Sequence, residues 1–125
     1  MTLIATCHCG STRLVLARVP DSATECNCTY CLKTGGIWGY FTPDEVEIVV
    51  RAEGGIYALT HPRQRHFFCT VCGCTTHGIA PAYTEADIGA TEMPKADQIG
   101  VNLRLLDNFD LSSIELRKID GRNLW

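Results

Sequence analysis

Short alternations of apolar and polar residues recur along this chain, and no stretch sustains the 3.6-residue period of a capped helix. Met1 to Cys9 reads as an extended segment. After a turn at Gly10-Ser11, the stretch from Ser11 to Val19 continues it, with Leu14 and Leu16 set against Arg13 and Val15. Pro20-Asp21-Ser22 breaks the chain. Ile37 to Thr42 is aromatic and β-prone, Pro43-Asp44 turns, and Val46 to Arg51 alternates for part of its length. Gly54-Gly55 separates that strand from Ile56 to Leu59, and Arg63 to Phe68 leads into a cysteine-rich turn. Thr75 to Ile79, Ile99 to Leu105 and Ile114 to Ile119 complete the expected strands. Ala80 to Asp97, interrupted by Pro81 and Pro94, reads as irregular, with a short helical turn expected at Thr84 to Ala90.

The pattern predicts a mainly β unit in which residues 1–125 form one domain. Its core is small, so cross-links between distant segments would contribute much of its stability. Apolar residues make up 46% of the chain and charged ones 20%, a globular rather than a disordered balance. A formal net charge of −3 argues against a general nucleic-acid binder, which needs a surplus of Lys and Arg. No apolar run approaches the ~20 residues that cross a bilayer, so no membrane role is expected.

Eight cysteines change the picture. Three explanations compete: buried small residues, disulfides and metal ligands. Nothing in Met1 to Thr6 has the basic region, apolar run and cleavage site of a secretory signal. A reduced, cytoplasmic setting is therefore expected, which favours metal over cystine. Seven thiolates shared by two divalent ions would make the chain more negative still.

Cys7-x-Cys9 and Cys69-x-x-Cys72 supply two ligand pairs far apart in sequence. Sulfurs about 2.3 Å from a zinc ion lie roughly 3.8 Å from one another, a spacing that a pair within one turn or on one strand face can meet. Gly73 follows Cys72 and tolerates positive φ, which lets a knuckle turn aim backbone N–H groups at the thiolates. This set reads as a closed, structural zinc site, with iron or an iron–sulfur cluster as the rival metal.

Cys26-Asn27-Cys28-Thr29-Tyr30-Cys31 differs, because it offers three thiols and one vacancy. Cys26 and Cys28 share a face in an extended chain, and Cys31 arrives as the chain turns back. Zinc with an open corner is a Lewis acid that holds a visiting thiol as thiolate near neutral pH. An activated thiolate beside an aldehyde carbonyl is a setting for carbon–sulfur bond formation. Cys74 has three readings, a fourth ligand that closes this second site, a buried thiol, or a residue near the open site. His8, His66 and His77 lie near cysteines in sequence and could serve as acid, base or ligand, but a structural role is the plainer reading for each. His8 and His66 flank strand cysteines and would point away from the metal or satisfy local hydrogen bonds, and His61, before Pro62, reads as a loop residue. Arg13 and Lys33 are the weak candidates for contacts to an anionic thiol substrate, with solvated surface charge as the default. Trp38, Tyr40 and Phe41 would wall a pocket or fill the core.

Taken together, Cys7-His8-Cys9-Gly10, Cys26-Asn27-Cys28-Thr29-Tyr30-Cys31, Phe68-Cys69-Thr70-Val71-Cys72-Gly73, Val101-Asn102-Leu103 and Asp120-Gly121-Arg122-Asn123 resemble the glutathione-dependent formaldehyde-activating enzyme family, also called the CENP-V/GFA domain. The resemblance spans nearly the whole chain. It implies an Mss4-like fold of several small antiparallel sheets stapled by zinc. By motif match, Cys7, Cys9, Cys69 and Cys72 hold the structural zinc, and Cys26, Cys28 and Cys31 hold the second, associated with glutathione and catalysis. The implied activity is that of a carbon–sulfur lyase that reversibly joins glutathione to formaldehyde, so a small-molecule thiol and an aldehyde are the expected partners. A non-catalytic zinc-stabilised binding module and a thiol-based metal or redox sensor are the alternatives to an enzyme.

Overall fold

A computed structural model describes residues 2–58, 61–87 and 89–124. Met1 and Leu59, at the ends of two expected strands, and Ile88, inside the expected helical turn, lie outside the described residues. The mainly β architecture with antiparallel sheets is borne out, and the strands gather into two sheets.

β1 (Leu3–Thr6) and β2 (Thr12–Leu16) form a hairpin, and β5 (Val46–Val50) pairs with the far side of β2. The register explains the alternation seen in the sequence. Leu16 lies opposite Leu3 and Val46, and Leu14 lies opposite Ala5 and Ile48, so one face of this sheet is continuous hydrocarbon. Arg13, one residue out of phase, points to solvent.

The larger sheet has seven strands. From one edge to the other they are β10 (Glu115–Ile119), β3 (Ser22–Cys26), β4 (Trp38–Phe41), β9 (Asp97–Asn102), β8 (Thr75–Pro81), β7 (Arg65–Phe68) and β6 (Gly55–Tyr57). All pairs are antiparallel except β10 with β3, where Ile119 lies beside Cys26. Its inner face contributes Ala23, Phe41, Ile99 and Val101 to a core shared with Leu3, Ala5, Leu14, Leu16 and Val46. Leu103 completes that core by packing against Gly39, where a Cβ would stand 2.9 Å from the leucine methyl. The β1 edge of the smaller sheet is also tied to the segment that follows β9, where Asp107 donates its backbone N–H to Ile4 and accepts from the Thr6 hydroxyl through its carboxylate.

Several boundaries differ from the expected ones. The break at Pro20-Asp21 ends one residue early, and Ser22 already begins β3. β8 continues to Pro81, which tolerates the end of a strand because little pairing follows it. β9 starts at Asp97 and stops at Asn102, where the Asn102 side chain accepts from Arg104 N at 3.2 Å and starts a single 3₁₀ turn. The expected helical turn is a 3₁₀ turn at Glu85–Asp87. Two short helices also form, α1 (Thr29–Thr34) and α2 (Gly121–Leu124).

Between the sheets lies a largely apolar cavity of about 280 Å³, bordered by Ile48, Val50, Phe67, His77 and Ile79. The His77 ring lies flat on Phe67, with centroids 4.4 Å apart, and its Nδ1 is 2.9 Å from the Thr76 hydroxyl. Burial therefore pushes the His77 pKa down to about 4 from its ordinary 6.5. The unfolded chain takes up a proton as pH falls through 6.5 while the folded chain does not, so folding stability falls across that interval and levels off near pH 4. Replacing His77 by Gln should flatten the decline between pH 6.5 and 4 by on the order of 3 kcal/mol, as read by urea unfolding at several pH values. Parallel curves for the two proteins would show that His77 does not carry the effect.

Candidate metal centre

Two groups of sulfurs meet the geometry of a metal site. In the first, Cys7 and Cys9 come from the β1–β2 turn, and Cys69 and Cys72 from the β7–β8 turn. All four sulfurs lie within 4.8 Å of one another. The Cys7–Cys9 and Cys9–Cys69 separations are 3.7 and 3.6 Å, close to the edge of a sulfur tetrahedron. Both turns end in a left-handed glycine, Gly10 at φ +82° and Gly73 at φ +80°, as the sequence predicted for Gly73. The N–H of each glycine closes its turn, on Cys7 O at 3.0 Å and Cys69 O at 2.9 Å. That closure frees other amides for the sulfurs: Thr12 N lies 3.3 Å from Cys7 Sγ, Val71 N 3.4 Å and Cys72 N 3.5 Å from Cys69 Sγ. The backbone N–H groups of Cys74 and Cys9 hold the Cys72 thiol down to about 5. The turns thus carry built-in donors for negative sulfur.

The second group is Cys26, Cys28 and Cys31, again with all sulfurs within 4.8 Å. Cys26 ends β3. Cys28 takes the N-cap position of α1 and its sulfur accepts from Cys31 N at 3.4 Å, a role that Ser or Asp usually fills. Cys28 N in turn lies 3.4 Å from Cys26 Sγ. The helix runs six residues and stops at Gly35, whose φ of +71° and N–H to Cys31 O make a left-handed cap. Among the described His, Cys, Asp and Glu side chains, no fourth joins this group.

The protons in the second group show what it lacks. Burial raises the Cys31 pKa, and the neighbouring Cys28 sulfur raises it further. Burial is also the first reason that Cys26 is raised. Burial opposes ionisation of Cys28 as well, but the Cys31 N–H and the adjacent thiols outweigh it, and its pKa falls. One thiolate therefore keeps two thiols protonated, and only a nearby cation would hold all three as thiolates. Trp38 points to the same conclusion. Its indole N–H is buried without a hydrogen bond of ordinary geometry and lies toward the Cys31 sulfur, whose charged form it favours. A metal-bound thiolate at Cys31 gives that donor a use, so the residues present fit an ion.

All eight cysteines are free, so the disulfide alternative does not hold. Cys74 is placed differently from the reading that made it a fourth ligand of the second group. The His8 N–H reaches its sulfur, while burial and the charges of Cys72 and Cys7 keep its pKa raised, so Cys74 sits beside the four-cysteine group. The reason is local: Cys69 N bonds to Cys74 O at 2.9 Å, which folds the segment back on its own knuckle before β8 begins.

The remaining candidates separate clearly. Arg13 lies on the three-stranded sheet opposite Thr6 and Val49, away from the second group, and Lys33 is exposed in the last turn of α1. His8 is exposed, and His61 accepts from Arg63 N in its loop. His66 stacks on Tyr30, which stands between two ligands on α1, with centroids 3.9 Å apart, and burial lowers its pKa. Trp38 and Phe41 are buried, on opposite faces of β4. Tyr40 shares a face with Trp38 and heads a row across five strands: Tyr40, Gly100, Gly78, His66 and Tyr57. Tyr40 is 42% exposed, and its phenol pKa is raised by partial desolvation and then by the charges of Cys31, Cys26 and Cys28, which sets this end of the row beside the three-sulfur group. Sequence reasoning missed the contacts of Asn27. Its Nδ2 donates to Asp120 Oδ1 at 2.9 Å, a pairing across the length of the chain for which the motif ending Asp120-Gly121-Arg122-Asn123 was the available signal.

No protein-family model and no curated protein matches the sequence. A crystal structure of a Rhodobacter sphaeroides protein from structural genomics is similar in fold. The TM-score is 0.66 at 23% identity, over 90% of this chain and 98% of that one. No described helix is long and apolar enough to cross a membrane.

The two groups should respond differently to the same substitution. Cys9→Ser breaks a link between two distant turns and should lower stability by about 3 kcal/mol or more, roughly 10 °C in melting temperature. Cys28→Ser affects one loop and should cost about 1 kcal/mol or less. Equal melting losses in the two variants would contradict this division.

Proposed function

We propose that the chain binds two Zn²⁺ ions, a structural one at Cys7, Cys9, Cys69 and Cys72 and a second at Cys26, Cys28 and Cys31. We further propose that the second site activates a glutathione-like thiol toward formaldehyde or another small aldehyde. The observation that carries this reading is the three-sulfur group, with no fourth protein ligand among the described side chains. The resemblance of its cysteine motifs to the formaldehyde-activating family supports it. A reducing, cytoplasmic setting keeps the sulfurs available for metal.

When bound, zinc at the second site supplies Lewis acidity that keeps a visiting thiol ionised near neutral pH. The rest follows from the chain. Cys26, Cys28 and Cys31 converge from one strand end and one helix start and would hold the ion through three sulfurs. Backbone N–H groups of Cys28 and Cys31 and the Trp38 indole spread the negative charge of the ligand set. Gly100 and Gly78, at the centre of the row, let the Tyr40 and His66 rings lie close over the strand backbone beside the site, since a Cβ there would stand 3.3 Å from the Tyr40 ring and 3.5 Å from His66 Nδ1. In the reaction the thiolate sulfur bonds to the carbonyl carbon, the C=O π pair moves to oxygen, and that oxygen takes up the proton the thiol released. The product is a hydroxyalkyl thioether, and the reverse path breaks the same C–S bond.

Native mass spectrometry of the zinc-loaded protein, with and without glutathione, tests this reading. Two zinc ions and a glutathione adduct are expected for the native chain, and one zinc and no adduct for Cys28→Ser. Formaldehyde consumption in the presence of glutathione should fall at least about 100-fold in that variant. A native protein that takes two ions but gains no adduct and no turnover would favour a binding module instead.

A further inference from the structure

The two sulfur groups differ in what holds their ligands in place. The four-sulfur group draws on two turns that are far apart in sequence, so the fold itself brings its ligands together. The three-sulfur group lies within one loop and needs another restraint.

Asn27 supplies it. The residue stands between two ligands, and all of its polar groups but its own carbonyl engage the C-terminal segment. Its backbone N–H donates to Ile119 O at 3.2 Å, its Nδ2 donates to Asp120 Oδ1 at 2.9 Å, and its Oδ1 accepts from Arg122 N at 3.0 Å. Asp120 is held in turn, because its second oxygen accepts from Asn123 Nδ2 at 2.7 Å. The neighbouring strands continue the arrangement, since the parallel β10–β3 pair ends with Ile119 beside Cys26. The loop is therefore fastened at the residue between two ligands, by a turn that contributes no ligand.

We propose that Asn27 and Asp120 form a latch that presets Cys26, Cys28 and Cys31 for their ion, so that the C-terminal turn sets the metal affinity of this site and not of the other. The inference rests on the three-sulfur group being a metal site. Asn27 and Asp120 are positioning residues. A loop already held in the binding geometry loses less freedom when the ion arrives, and a released loop loses more. A latch that served only to fasten the chain terminus would change overall stability and leave the ratio of the two metal affinities alone.

Zinc titrations of the full chain against a chromophoric chelator read both affinities. Asp120→Ala should weaken the weaker site by about 10–100-fold and leave the tighter site within about twofold. Asp120→Asn, which keeps an oxygen facing Asn27, should recover most of the loss. Asn27→Ala removes the same contact from the loop side and serves if Asp120→Ala does not fold. Weakening of both sites in parallel, or a weaker site unchanged in Asp120→Ala and Asn27→Ala, would overturn the latch. A native chain that binds a single zinc would overturn the two-site reading and the latch together.

Discussion

Crowded sulfur is the constraint on which this molecule depends. Seven thiols stand in two groups, each with its sulfurs within 4.8 Å, and thiolates at that range repel one another unless a cation lies among them. The backbone is arranged to soften the repulsion: left-handed glycines close the turns and direct amides at sulfur in the β1–β2 and β7–β8 turns, and the start of α1 does the same for Cys28. Hydrogen bonds alone do not finish the task. The raised pKa of Cys26 and Cys31 beside a lowered Cys28 is the unpaid remainder in the second group.

The two groups also stand in opposite relations to the fold. The four-sulfur group joins the tip of the three-stranded sheet to an end of the seven-stranded one, so an ion there adds a link the small core would otherwise have to supply. The three-sulfur group links nothing distant through its own ligands. Its geometry depends instead on neighbours: the Asn27 contacts to the C-terminal turn, the stack of Tyr30 on His66, and Arg104, whose Nε donates to Gly35 O at 2.7 Å just past α1. One site thus maintains the fold, and the other is maintained by it.

Much of this was legible in the residues. Strand β2 was readable because only one of its faces is buried, so Leu14 and Leu16 alternate with Arg13 in plain view. The ligand pairs were readable because each lies within one turn. Strand β3 was not, because Ala23 and Thr24 are buried on opposite faces and Ser-Ala-Thr-Glu-Cys shows no apolar alternation. Helix α1 escaped notice for two reasons: its cap is a cysteine, and six residues are too few for a period to emerge. The parallel β10–β3 pair and the Asn27–Asp120 contact join opposite ends of the chain, where local pattern carries no information. The direction of Cys74 depended on a backbone bond from Cys69 to its own carbonyl, a detail of turn geometry that spacing alone does not determine.

The difference in ligand number has a kinetic side. A four-sulfur ion has no coordination position to offer and exchanges only when a turn opens, whereas a three-sulfur ion keeps a position that solvent or substrate must occupy. An enzyme that captures and releases a thiol needs the second behaviour without losing the metal each time the thiol departs. Three thiolates from a free loop would meet that need poorly, because departure of the fourth ligand would leave the loop at liberty to open. Under the proposed reading, a loop held at Asn27 from one side and at Tyr30 and Gly35 from the other would keep its three sulfurs together while the fourth position turned over. On that reading, rigidity in the supporting residues is what would allow lability at the open corner.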